Sequence, residues 1–379
     1  MKERLGFLIT GMSRSGTTLV DKLLGAHKEL SVLSQPLPFL YRHLKKQFFK
    51  QIEYPETYYV LNDLFDERRY EPGHFFDYLD RFQLTEKELT SMLENMDTWS
   101  GQLTKLDPSV SNEVTEGEGF DQLYSHLLSL INTKSDAKCL GSKEILIEEY
   151  VGYFLSKGIK AIVVVRDPRD VITSQNIGRG TDYVGRHRPT LFHLRNWRKS
   201  VAICNTFQDN PNFLSFKYED LLLDQNAVLR KVTEFLKVNP FPSEYFDNGI
   251  PTMNGNWNGN SSTGETKGIN STNSGKYRKH LNSETVKYIE LMCRPEMLSH
   301  NYELEYPELL DSFDPTTFQE QFQIDSDSFI DKNMSSNAKI LEQESKRLEV
   351  LTHKSSNSSS EVNRYFYSRA NYNSLIRFC

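Results

Sequence analysis

Leu5-Gly6-Phe7-Leu8-Ile9-Thr10-Gly11-Met12-Ser13-Arg14-Ser15-Gly16-Thr17-Thr18-Leu19-Val20-Asp21-Lys22-Leu23-Leu24-Gly25 reads as a strand, a glycine-bounded turn and a helix. Leu5 to Thr10 is an apolar run of strand length. Thr18 to Leu24 places Leu19, Val20, Leu23 and Leu24 on one helical face, and Gly25 ends it. Between them, Gly11 and Gly16 let the backbone curl tightly. A helix start offers N–H groups without intrahelical partners at the positive end of its dipole, so the turn favours an anion. Arg14 adds a positive charge from within the loop. An open α/β sheet binds its ligands at this place, the carboxyl end of a strand.

Working outward, the same alternation continues. Lys138 to Gly141 is a second strand candidate, followed by a helical stretch around Glu148 to Ser156 that Gly158 ends. Lys160 to Val165 is a continuous β-branched run, as in parallel strands buried on both faces. Asn212 to Phe216 is another strand candidate, with a helix from about Asn226 to Leu236 after it. The expectation is an α/β fold of the P-loop NTPase type, three layers around a central parallel sheet, with helical insertions. Residues 41–136 read as a helical cap over the ligand edge, with Tyr54, Tyr58, Tyr59, Phe65, Phe75, Phe76 and Tyr78 serving mainly as its core. Asn254 to Ser274, dominated by Asn, Gly, Ser and Thr, reads as a loop. The α/β domain is expected over 1–310. Residues 311–379 read as a polar, partly helical C-terminal extension, with a helix around Ala338 to Leu351 and a linker at Ser355 to Ser360.

Composition narrows the function. A net charge of −6 gives no general basic field, so nucleic acid is not an expected partner. A hydrophobic share of 37% is low for a compact globule and fits a core that carries long polar insertions. The apolar run at the N-terminus is too short for a signal-peptide core or a membrane span, and no other segment is long enough. Cys139, Cys204, Cys293 and Cys379 are scattered, without metal-ligand spacing. These features point to a cytoplasmic, reduced protein with no transmembrane segment and no metal site.

The Gly11 to Thr18 turn has the spacing of Gly-x4-Gly-Lys-Ser/Thr, but Thr17 stands where the lysine of a nucleotide triphosphatase belongs. That departure tells against a kinase or ATPase. Arg14-Ser15-Gly16-Thr17-Thr18 resembles the 5′-phosphosulfate loop of sulfotransferases dependent on 3′-phosphoadenosine 5′-phosphosulfate (PAPS), in the arginine-bearing form of Golgi and bacterial members. Arg166-Asp167-Pro168-Arg169-Asp170, followed by Ser174, resembles that family's 3′-phosphate motif. Capping explains part of it, since Asp167 suits an N-cap and Pro168 the first helical position. The resemblance implies that Arg166 and Ser174 hold the 3′-phosphate, with Arg169 a structural or solvated charge. Gly275-Lys276-Tyr277-Arg278 is similar to a segment that closes over the same phosphate, implying Gly275, Lys276 and Arg278 as contacts and Tyr277 as packing. Tyr218, in Tyr218-Glu219-Asp220-Leu221, resembles the tyrosine near the adenine. PAPS is thereby implied as co-substrate, with no metal.

For catalysis, Arg14 and the loop N–H groups suit the leaving phosphate. A general base is also required. Arginine-type relatives often carry a glutamate shortly after the first helix, but this chain has Ser34-Gln35-Pro36 there. At the next strand end, Ser142-Lys143-Glu144-Ile145 supplies Lys143, which fits the family lysine assisting the sulfuryl group, and Glu144 as the nearest carboxylate. A solvated loop charge is the competing reading of Glu144. Three functions remain in view: sulfuryl transfer to a hydroxyl acceptor, a glycan or small metabolite; PAPS or PAP binding without chemistry; and a P-loop kinase-like activity.

Overall fold

The computed structural model describes residues 5–53, 70–94, 104, 107–113, 119–130, 136–174, 188–242, 244–252, 255–257, 259–260, 264–265, 269, 271–308, 313–322, 337–352 and 358–379. Tyr54, Tyr58, Tyr59 and Phe65 of the expected cap lie outside the described residues.

Five strands, β1 (Leu5–Thr10), β2 (Leu30–Ser34), β3 (Cys139–Lys143), β4 (Lys160–Val165) and β5 (Phe213–Lys217), form one parallel sheet in the order β2-β3-β1-β4-β5. The alternation of side chains across a strand divides the core in two. Leu8, Ala161, Val163 and Val165 face one layer, which holds helices α2 (Pro38–Gln51), α3 (Pro72–Arg81), α4 (Glu86–Glu94), α5 (Phe120–Leu130), α6 (Val151–Ser156), α7 (Pro168–Ile172), α8 (Thr190–Phe207) and α12 (Ser283–Ser299). Phe7, Ile9, Ile162 and Val164 face the other, packed by α1 (Thr17–Gly25), α9 (Tyr218–Leu223) and α10 (Gln225–Leu236). Every residue of β4 is buried, the burial expected of a strand covered on both faces. The three-layer α/β architecture is therefore present, and β1 lies at its centre with β3 and β4 as neighbours.

Helices α2, α3 and α5 pack through their aromatics and against Tyr150. Tyr41, Phe48, Phe75, Phe120 and Tyr150 meet edge-on or tilted, with ring centroids 4.9–5.9 Å apart. The expected loop over residues 254–274 is not wholly irregular: Gly255–Asn256, Gly259–Asn260 and Gly264–Glu265 are two-residue strands, and Ser271–Asn273 is a 3-10 turn. A single short helical turn, α11 (Tyr277–His280), follows.

The C-terminal extension carries α13 (Ala338–Thr352), α14 (Ser359–Tyr365) and α15 (Arg369–Leu375). The expected linker at Ser355 to Ser360 is corrected in its second half. Ser358 is an N-cap whose hydroxyl accepts from Glu361 N, and the Glu361 carboxylate accepts from Ser358 N in return. The extension is tied to the α/β layers by buried charge. Glu344 of α13 accepts from Arg195 and Arg198 of α8, and Arg347 pairs with Glu296 of α12.

Candidate active site at the strand ends

The turn after β1 is shaped by steric necessity. Gly11 and Gly16 have φ of 153° and 93°, and Arg14 takes φ of 72° between them. A Cβ on Gly16 would sit 2.2 Å from the Tyr218 ring, and one on Gly11 2.4 Å from the Val164 carbonyl. Ser15 N donates to Met12 O at 3.1 Å and closes the turn. Thr17 and Thr18 open α1 directly behind it. The Ser15 hydroxyl is fully buried and has no hydrogen-bond partner in the protein. Such an orphan inside a loop at a helix start fits an anion that accepts its proton.

Strand order brings the other motifs to the same edge. Arg166 follows β4 and is 3% exposed. Its Nη1 donates to Arg14 O at 3.2 Å, its Nη2 donates to Asn273 O, and its guanidinium lies 4.7 Å from the Tyr218 ring centroid. Trp197 Nε1 donates to Arg166 O at 2.7 Å, which fixes the backbone there. Arg166 Nε is buried and without a protein partner, a donor still available to a ligand. Asp167 caps α7 by accepting from Arg169 N, with Pro168 in the first turn. Arg169 is buried, not solvated: it pairs with Asp167 and Glu290 and lies over the Tyr277 ring. Ser174 is buried as well, its Oγ 3.5 Å from Asp170 O.

Tyr218 starts α9 after β5, packed between Gly16 and Arg166, and its hydroxyl accepts from Asn273 Nδ2 at 2.8 Å. Asn273 was not distinguishable within its polar loop, yet side chain and carbonyl together tie that loop to both Tyr218 and Arg166. Asp170 completes the link, accepting from Gly275 N at 2.7 Å and Tyr277 N at 3.0 Å. Burial raises its carboxyl above the usual range against the pull of Arg166. Gly275 has φ of 73°. Lys276 is half-buried, whereas the Arg278 side chain is 62% exposed and pairs with Glu305.

At the end of β3, Lys143 and Glu144 are both buried. Lys143 Nζ donates to Gln35 Oε1 at 3.0 Å, and Gln35 N donates to Lys143 O at 2.7 Å. Burial lowers the Lys143 ammonium below its ordinary value, with Asp21 of α1 and Glu144 opposing. Glu144 is 1% exposed, which removes the solvated reading. Its Oε1 accepts from Leu37 N at 2.9 Å at the start of α2, and burial pushes its carboxyl up to about 8. Gln35 thus engages the lysine from the position where the family resemblance leads one to expect a glutamate.

Residues 7–243 match the sulfotransferase family. The chain belongs to that family. Mouse (Mus musculus) sulfotransferase 2A6 is 24% identical over 152 residues, 37% of this chain and 53% of the relative, so the match spans about half of that relative's length. Among solved structures, the sulfotransferase domain of the curacin biosynthetic pathway is 18% identical with a TM-score of 0.40, covering 80% of this chain and all of that one. The sulfotransferase domain of the Synechococcus PCC 7002 olefin synthase is 18% identical with a TM-score of 0.41, covering 75% and 91%. Among the described residues no helix is long and apolar enough to cross a membrane, and no cluster of His, Cys, Asp or Glu is set to hold a metal ion.

Proposed function

We propose that this sulfotransferase-family chain transfers the sulfuryl group of PAPS to a hydroxyl of a glycan or small metabolite in the cytoplasm. The observation that carries this is the meeting of the Arg14–Thr18 loop, Arg166, Tyr218 and the Asn273–Tyr277 segment at one sheet edge. Within it, two buried donors, Ser15 Oγ and Arg166 Nε, lack a protein partner.

PAPS would supply an activated sulfuryl group: the acceptor oxygen bonds sulfur, the sulfur–oxygen bond to the 5′-phosphate breaks, 3′-phosphoadenosine 5′-phosphate (PAP) leaves and the acceptor proton passes to a base. In this reading Arg14, Ser15, Gly16, Thr17 and Thr18 receive the 5′ end, where positive charge and N–H donors offset the negative charge that builds on the leaving oxygen. Arg166, Ser174, Gly275, Lys276 and Arg278 hold the 3′-phosphate, Arg166 offering a rigid fork of donors. Tyr218 borders the base. Lys143, held by Gln35, faces the transferring group, and Glu144 takes the proton, its raised carboxyl being matched to a working pH near neutrality.

PAP formed from PAPS in the presence of a panel of phenolic, alcoholic and saccharide hydroxyls tests the reading. The expected result is acceptor-dependent PAP production that does not need magnesium. PAP bound tightly with no turnover on any acceptor would favour a binding protein instead.

A further inference from the structure

The short turn α11 follows the polar loop of residues 254–274, where little would be expected to fix it, yet it is held at both ends. At its front, the Asp170 carboxylate accepts from Gly275 N at 2.7 Å and Tyr277 N at 3.0 Å, using one oxygen for each. At its back, Gln321 Nε2 donates to His280 O at 2.7 Å, and Gln321 Oε1 accepts from Asn282 N at 2.9 Å. From the side, Glu305 accepts from Tyr277 Oη and Arg278 Nε.

Gln321 belongs to a strap, residues 313–322, that lies beyond the segment matching the family. Two contacts seat the strap. Phe318 is buried and stacks on Tyr288 of α12 at 3.9 Å and 9°. Glu320 accepts from Thr190 N and Thr190 Oγ1 at 2.9 and 2.7 Å, capping the start of α8. The same α8 carries Trp197, whose indole N–H donates to Arg166 O. Adjacent side chains of the strap therefore reach the element that orients Arg166 and the turn that carries Gly275, Lys276 and Arg278.

We infer that Asp170 and Gln321 are positioning residues that pin α11 from its two ends and so set the preference for a nucleotide bearing a 3′-phosphate. This rests on the nucleotide reading above and deepens it. The reason is geometric: a phosphate gains from several donors only when all are already in place, because ordering a loop around it costs conformational entropy. Asp170 gives each of the two N–H donors its own carboxylate oxygen, an arrangement that the single acceptor oxygen of an asparagine does not reproduce. Gln321 serves the opposite end with one donor and one acceptor, the combination an amide provides.

Calorimetric titration of the full chain with PAP and with 5′-AMP tests this, because the two ligands differ only in the 3′-phosphate. Wild type, Asp170→Asn and Gln321→Ala are compared. Gln321 is half-buried on the strap, so its variant keeps the fold even where the buried Asp170 variant does not. Loss of the pinning bonds is expected to lower the PAP-over-AMP preference about tenfold, with AMP affinity unchanged. A purely structural role would weaken both ligands together, and that result overturns the inference, as does a PAP preference that survives in both variants. A wild type that does not prefer PAP to AMP would overturn the nucleotide reading itself along with the inference.

Discussion

Gln35 and Lys143 face one another across the ends of β2 and β3, each giving the other one hydrogen bond. An amide there holds the ammonium in place but accepts no proton from an acceptor hydroxyl; of the two carboxylates whose charge acts on Lys143, Asp21 and Glu144, the proposed base is Glu144, one residue further on. Its raised value has a direct kinetic consequence. A base that is half ionised at about 8 makes turnover climb with pH through that region. Glu144→Gln keeps an oxygen for Leu37 N, so PAP affinity is expected to persist. Turnover is expected to fall by roughly a hundredfold or more and to lose its rise near pH 8. Unchanged turnover with the same pH profile in that variant would reduce Glu144 to a helix-capping role. The glycine turn after β1 and the placement of Arg14 and Arg166 at neighbouring strand ends were legible in the sequence, because loop spacing and motif order act locally. The contact of Gly16 with Tyr218 and the double role of Asn273 were not, since residues far apart in sequence meet there only through strand order.

At the scale of elements, what was legible follows from pattern strength. The β-branched run of β4 and the apolar faces of α1 and α10 stand out, and their observed bounds lie within a residue or so of those read from sequence. β2 does not stand out, because Ser31 and Ser34 interrupt its short apolar run although both are buried. α8 hides for a different reason. Arg195, Arg198, Lys199 and Asn196 are buried alongside Leu191, Trp197 and Val201, so no polar face remains to mark a helical period. Its charges are matched from elsewhere: Arg195 and Arg198 by Glu344, and Lys199 by Glu148 and Glu149. Burial alone would raise Glu344, but Arg198 and Arg195 overcome it and hold the carboxyl down at about 2. A depressed carboxylate stabilises the fold above its unfolded value of about 4.5 and loses that contribution as pH falls from there towards 2. Glu344→Ala is expected to cost roughly 3–5 kcal/mol in urea unfolding at neutral pH, since two buried guanidinium groups lose their carboxylate. The difference from wild type should shrink below pH 4. An equal difference at pH 7 and pH 3 would show that the charge of Glu344 contributes nothing.

For the whole molecule, one sheet edge gathers groups from the ends of four adjacent strands, and helices remote in sequence then hold them. Strand order accounts for the gathering: with β1 flanked by β3 and β4, the loop after β1 must lie between Lys143 and Arg166. The C-terminal residues join the same assembly through Gln321, Glu320 and Glu344, so the part of the chain beyond the family match contributes to the site's support. In the proposed function this edge binds a 3′-phosphorylated adenine nucleotide without a metal. Calorimetric titration with PAP, beside ATP with magnesium, for wild type and Arg166→Ala, tests it most directly. Metal-independent PAP binding that collapses in Arg166→Ala is expected, with ATP markedly weaker. Tight magnesium-ATP binding, or PAP binding indifferent to the loss of Arg166, would contradict it.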